Sequence, residues 1–207
     1  VLTCDTEYTT NLTVDSELDE ENDDSTTTEV SFKKDFVYDD QLDPFKNLFG
    51  VTYDYKNEVK ALFTLAEHSG TCEDKIKTAL NSGSELIWIE GNCDLSAGSA
   101  VTSSADDGII VVIENGLLSI NGVMPFKGII YQLIRDPLEP NWSGLSVEDQ
   151  ITPRVADGTF PKNPTAYIFG SAIPEGAVII DTPDQLAVIY GSANISFNKE
   201  NIDHPLK

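Results

Sequence analysis

Ile87-Trp88-Ile89-Glu90, Val111-Val112-Ile113-Glu114 and Ile129-Ile130-Tyr131-Gln132 are the stretches on which the reading of this chain turns. Each run is β-branched or aromatic, and the first two lead directly into the turn pairs Gly91-Asn92 and Asn115-Gly116. Each also begins a short way after a glycine: Gly83, Gly108 and Gly128. The run starts lie 24 and 18 residues apart, a spacing suited to stacked β-coils in which each coil shields the apolar face of the next. The fold class this predicts is mainly β. It is a short β-helix-like stack of β-coils with one or two N-terminal capping helices and an extended acidic N-terminal arm.

Outward from these runs the chain divides by composition. Residues 1–41 read as an acidic, Thr-rich arm, with edge strands suggested by the alternation around Val30, Phe32 and Phe36-Val37-Tyr38. Residues 42–207 read as one β-rich domain. Its helices are expected within 56–82. Lys56 to His68 carries Val59, Leu62, Phe63 and Ala66 at helical spacing. Cys72 to Asn81 places Ile76, Ala79 and Leu80 inward and stops at Gly83. These helices are expected to cap the open end of the stack, and His68 to satisfy helix-end carbonyls. After the β-coils of 86–132 comes a Pro-rich excursion, 136–164, marked by Pro137, Pro140, Pro153, Pro161 and Pro164. It is read as irregular, with Trp142 pinning it to the core. The β-pattern resumes over 165–197 in Ala166 to Phe169, Gly176 to Asp181, Leu186 to Tyr190 and Asn194 to Phe197.

Charge narrows the functional classes. The 207 residues carry 13 basic and 35 acidic side chains, a net charge of −22, which repels phosphate backbones and anionic lipid surfaces. Nucleic acid is therefore not an expected partner. No apolar run approaches the ~20 residues needed to cross a bilayer. The chain begins at Val1 and not Met, so it is read as a processed or truncated form whose upstream export or membrane segment is absent. The acidic run Asp15 to Asp24 lacks the glycine and terminal glutamate of an EF-hand loop and is read as a solvated arm.

Three cysteines are present. Cys72 and Cys93, 21 residues apart, are the expected disulfide, which would tie a helix to the first β-run and place the protein in an oxidising compartment. Two free thiols or a metal pair are the alternatives, but the only histidines are His68 and His204, and no metal-ligand spacing accompanies the cysteines. Cys4 is left over in the arm.

If the runs stack in register, Glu90 and Glu114 lie one above the other, roughly 5 Å apart, with Gln132 extending the ladder. Such a pair suits a retaining glycosidase or a cation site, or it is a corner exposed to water, which is the reading favoured here. Strand alternation puts Trp88 on Glu90's face and Tyr131 on neither carboxylate's. Asp106-Asp107 is assigned to turn chemistry. Between residues 84 and 135 the only basic side chains are Lys127 and Arg135, too few for a lyase acting on acidic sugars. No nucleophile elbow, P-loop, dinucleotide fingerprint or zinc spacing appears. Asn11, Asn141 and Asn194 open glycosylation sequons, informative only in a eukaryotic source. Neither catalysis, a cofactor nor a metal is expected.

The order of segments resembles that of PilX-like type IV pilus assembly proteins, in the minor pilin family. The matching residues are Phe45 to Gly50, Cys72, Leu86-Ile-Trp-Ile-Glu-Gly-Asn-Cys93, Gly108 to Gly116, Phe126 to Tyr131 and Ile173 to Asp181. The likeness spans about residues 42 to 197 and is carried by order and spacing, because each motif alone holds little information. It implies a non-catalytic structural and interaction domain, periplasmic or extracellular and pilus-associated, behind an N-terminal membrane segment, with other pilin or pilus-assembly subunits as partners. The chain departs from the pattern in its missing hydrophobic helix and its acidic arm. The alternative is a carbohydrate-binding or glycoside-cleaving β-helix protein, with a glycan as partner.

Overall fold

The computed structural model describes residues 43–66, 70–95, 108–121, 125–136, 138–158, 160, 164–169, 173–182 and 186–190. The acidic arm, His68, Asp106-Asp107, Cys4 and the stretch from Asn194 to Phe197 lie outside these residues. The helices are α1 (Pro44–Phe49), α2 (Lys56–Lys60), α3 (Cys72–Asn81) and α4 (Glu148–Ala156), with a 3-10 turn at Tyr53–Tyr55. The strands are β1 (Thr64–Leu65), β2 (Leu86–Glu90), β3 (Cys93–Leu95), β4 (Ile109–Glu114), β5 (Leu118–Asn121), β6 (Pro125–Leu133), β7 (Pro164–Phe169), β8 (Ile173–Asp181) and β9 (Leu186–Tyr190).

From β2 onward the chain alternates between two sheets. One is five-stranded, in the order β1-β2-β4-β6-β8, and the other four-stranded, in the order β3-β5-β7-β9. Every pairing is parallel. Ile87, Ile89, Val111, Ile113 and Ile130 face Leu95, Leu118, Ile120 and Ile168 to form the interior between the sheets. α3 packs against β2 and β3, adding Ile76 and Ala79 to this interior.

The mainly-β class expected from the sequence does not hold. The strands form two all-parallel sheets with helical segments on the outer face of each, an α/β-like arrangement. The reason lies in the runs themselves. All six residues of β4 are buried, so both faces of the strand need cover. All-parallel sheets typically take that cover from helices. Residues 44–63 supply it on the five-stranded sheet, where Phe45, Val59 and Phe63 pack on Trp88, Ile110, Val112 and Tyr131. On the other sheet, Trp142, Val147 and Ile151 pack on Leu117 and Tyr167.

Two element assignments also change. The helix expected from Lys56 to His68 ends at Lys60 and gives way to the edge strand β1, leaving Leu62, expected inside, 73% exposed. The spacing of Val59, Phe63 and Ala66 is met as well by a short helix, a turn and a strand. The Pro-rich excursion contains α4, with Pro153 inside it. Val147, Ile151 and Val155 mark its packed side at four-residue intervals. α3 spans the expected residues, and Thr71 and Asp74 form a reciprocal capping box at its start.

Cys72, at the first position of α3, and Cys93, at the start of β3, are joined by a disulfide with Cα atoms 5.0 Å apart. Glycine is required where strands approach most closely. A Cβ on Gly128 would lie 2.0 Å from the Ile109 carbonyl oxygen, and one on Gly116 would lie 2.0 Å from that of Gly91.

Candidate functional site

β2 and β4 run in register to their last residues, so Glu90 and Glu114 are direct neighbours. The next row is displaced by one from the sequence expectation, because Val111 pairs with Ile130 and not Ile129. Glu114 therefore neighbours Leu133, and Gln132 does not extend the ladder. A shift of one residue turns a strand side chain to the other face. Gln132 is accordingly buried, donating from Nε2 to the carbonyls of Gly116 and Thr165 at 2.8 Å each. The same shift places Tyr131 in the row of Trp88 and Val112, on the carboxylate face it was expected to avoid.

The two glutamates differ sharply. Glu90's side chain is 70% exposed, whereas Glu114 is buried. Lys56 and Lys60 sit four residues apart on α2, one turn apart on a shared face, and both reach Glu114. Lys56 Nζ lies 2.5 Å from Oε1, Lys60 Nζ 2.6 Å from Oε2, and the Trp88 indole donates to Oε2 at 2.9 Å. Lys60 also pairs with Glu90 and sits 5.5 Å from the Trp88 ring centre.

Burial disfavours the Glu114 anion, but hydrogen bonds from Lys56, Lys60 and Trp88 outweigh it and hold the carboxyl below its usual range. The lysines respond in kind. The Glu114 hydrogen bond raises Lys56, and in Lys60 the bonds to Glu114 and Glu90 overcome the opposing effect of burial.

A second cluster lies further along the same sheet end. Asp181, buried at the end of β8, accepts two bonds from Arg135, at 2.8 and 2.7 Å, and one from the Tyr131 hydroxyl. Here burial wins and raises the Asp181 carboxyl despite Tyr131 and Arg135, while burial and Asp181 push the Tyr131 phenol upward. Tyr53 links the clusters, with Arg135 4.7 Å and Lys56 5.7 Å from its ring centre.

This geometry limits the chemistry. A retaining glycosidase needs one free carboxylate nucleophile and one carboxylic acid able to give a proton. Glu114 has both oxygens occupied by Lys56, Lys60 and Trp88, whose hydrogen bonds favour its anion. The aromatic face beside it is covered too. Phe63 stands edge-on to Trp88 at 5.3 Å, and Phe49 and Phe45 stand edge-on to Tyr131 at 5.5 and 6.4 Å. A sugar platform on this face is therefore occupied by the chain's own residues 44–63. Among the described residues no three His, Cys, Asp or Glu side chains gather in a metal-binding group. No helix among them is long and apolar enough to cross a membrane.

The cations were the part sequence reasoning missed. Residues 84–135 hold only Lys127 and Arg135 as basic groups, whereas the lysines that meet Glu114 arrive from α2. Their four-residue spacing beside Val59 was the available signal. Trp142 is buried against Val147, Ile151 and Tyr167, as a pin for its loop. Asn141 accepts a bond from the Ser143 backbone N–H at 3.0 Å. Comparison with family models, curated proteins and solved structures finds no match for this chain.

Proposed function

We propose that this chain is a non-catalytic structural and interaction domain of a cell-surface assembly of the type IV pilus kind. The observation that carries the reading is the environment of Glu114: buried, with both oxygens engaged by two lysines and an indole. Its chemistry is spent on holding residues 44–63 against the sheet. The pilus-level reading draws on the order of the segments from Phe45 to Asp181, and the periplasmic or extracellular location is supported by the Cys72–Cys93 disulfide. The expected partners are other subunits of the assembly.

The test is to shear surface filaments from the organism of origin and probe filament and cell fractions with an antibody to this domain. Enrichment with the filaments or their membrane-bound base is the expected result. Confinement to the cytosol would overturn the reading.

A further inference from the structure

We propose that the outward side of residues 51–65 is a docking surface for a basic partner protein that presents apolar side chains. This rests on the interaction reading above and assigns it a place and a partner chemistry. The described residues include four large hydrophobic side chains that are notably exposed: Val51 at 36%, Tyr55 at 55%, Leu62 at 73% and Leu65 at 46%. All four fall within this one stretch. None of the four lies within α2: Val51 and Tyr55 precede it, and Leu62 and Leu65 follow it, while Val59 inside the helix is buried against the sheet. Concentrated apolar exposure of this kind marks an interaction site more often than isolated exposed residues do.

Charge selects the occupant. Lys56 and Lys60 are the only cations between residues 51 and 65, and both are turned onto Glu114. Asp54 and Glu58 remain exposed among the hydrophobics. The surface is thus apolar and acidic, on a chain of net charge −22. A second copy brings the same charge and is repelled, whereas a protein surface rich in Lys or Arg is attracted. β1 pairs only with β2 among the described residues, but it is two residues long, so strand addition offers few backbone bonds. Side chains carry the contact.

A short amphipathic Leu/Lys peptide, titrated into the isotopically labelled chain, is the probe. Amide shifts centred on residues 51–65, with affinity falling roughly tenfold in the Leu62→Ser/Leu65→Ser double variant, are expected. These sites are exposed, and an unchanged melting temperature shows that the fold is kept. Shifts spread over the acidic surface and indifferent to the double variant would overturn the proposal, as would self-association that the double variant abolishes. A photo-crosslinker at Leu62, compared with one at exposed Thr152 in cells of origin, separates this surface from the broader reading. Adducts from Leu62 to a basic envelope protein support the proposal. Adducts from Thr152 alone leave an interaction protein whose docking surface lies elsewhere, and adducts from neither remove both readings.

Discussion

Glu114 and Glu90 share a row of the sheet, yet their substitution is expected to have unequal consequences. Glu114→Gln leaves Lys56 and Lys60 without their buried counter-charge, and removing one partner of such a cluster costs ~3 kcal/mol or more. Glu90→Gln removes a solvent-exposed pairing and is expected to cost under about 1 kcal/mol. Urea unfolding of the two variants checks the contrast. Acidity gives a second handle. Glu114's folded-state pKa lies below its unfolded value of about 4.3, so its stabilisation is complete above that pH. It is lost as the pH falls through the depressed value. Asp181 has the opposite sign: its raised pKa means a contribution present below the ordinary aspartate value and lost as pH rises above that value through the raised one. The stability gap between wild type and Glu114→Gln should therefore be full near neutrality and narrow below about pH 4. A gap that stays constant into acid would show that the Glu114 charge contributes nothing.

Among the elements, the turns and the disulfide decide how strands and helix lock together. Gly128 has φ +127° and no room for a Cβ against the Ile109 carbonyl, while Gly50 has φ +74° with open space around it. Gly50→Ala is expected to cost only the left-handed backbone penalty of ~1–2 kcal/mol. Gly128→Ala adds a backbone clash and should exceed ~3 kcal/mol, among the largest single-residue effects. Thermal melts of the pair test whether close strand approach, more than φ, is what requires glycine. Replacing Cys72 and Cys93 with serine releases a 21-residue span and is expected to cost ~3 kcal/mol. Faster amide exchange in α3 should accompany it. The same elements show how far the sequence could be read. Long apolar runs such as Ile87 to Glu90 and Val111 to Glu114 announce themselves and become neighbours. Cys93–Leu95 and Leu118–Asn121 are too short to stand out, so the second sheet was not foreseen. Pro153 hid α4, although Val147, Ile151 and Val155 carried its period. The Glu90–Glu114 juxtaposition was legible because it follows from strand register. Its neutralisation was not, because the lysines come from a distant segment and their four-residue spacing beside Val59 does not say which strand they meet.

At the scale of the molecule, the described residues form two parallel sheets covered on their outer faces by residues 44–63 and by α4 with its preceding loop. In this arrangement Glu114 ties α2 to the sheet through Lys56 and Lys60. At net charge −22 the folded chain is compact against its own repulsion, so screening should help it. Raising sodium chloride from low to moderate concentration is expected to raise the melting temperature, and a fall would mean that the surface-accessible ion pairs dominate instead. The most direct measurement is the carboxyl titration of Glu114, followed by carbon-detected NMR with Glu114→Gln to assign the signal. An anchoring role requires Glu114 to titrate below the ordinary glutamate range. Titration above that range, as a proton-donating acid needs, would contradict it.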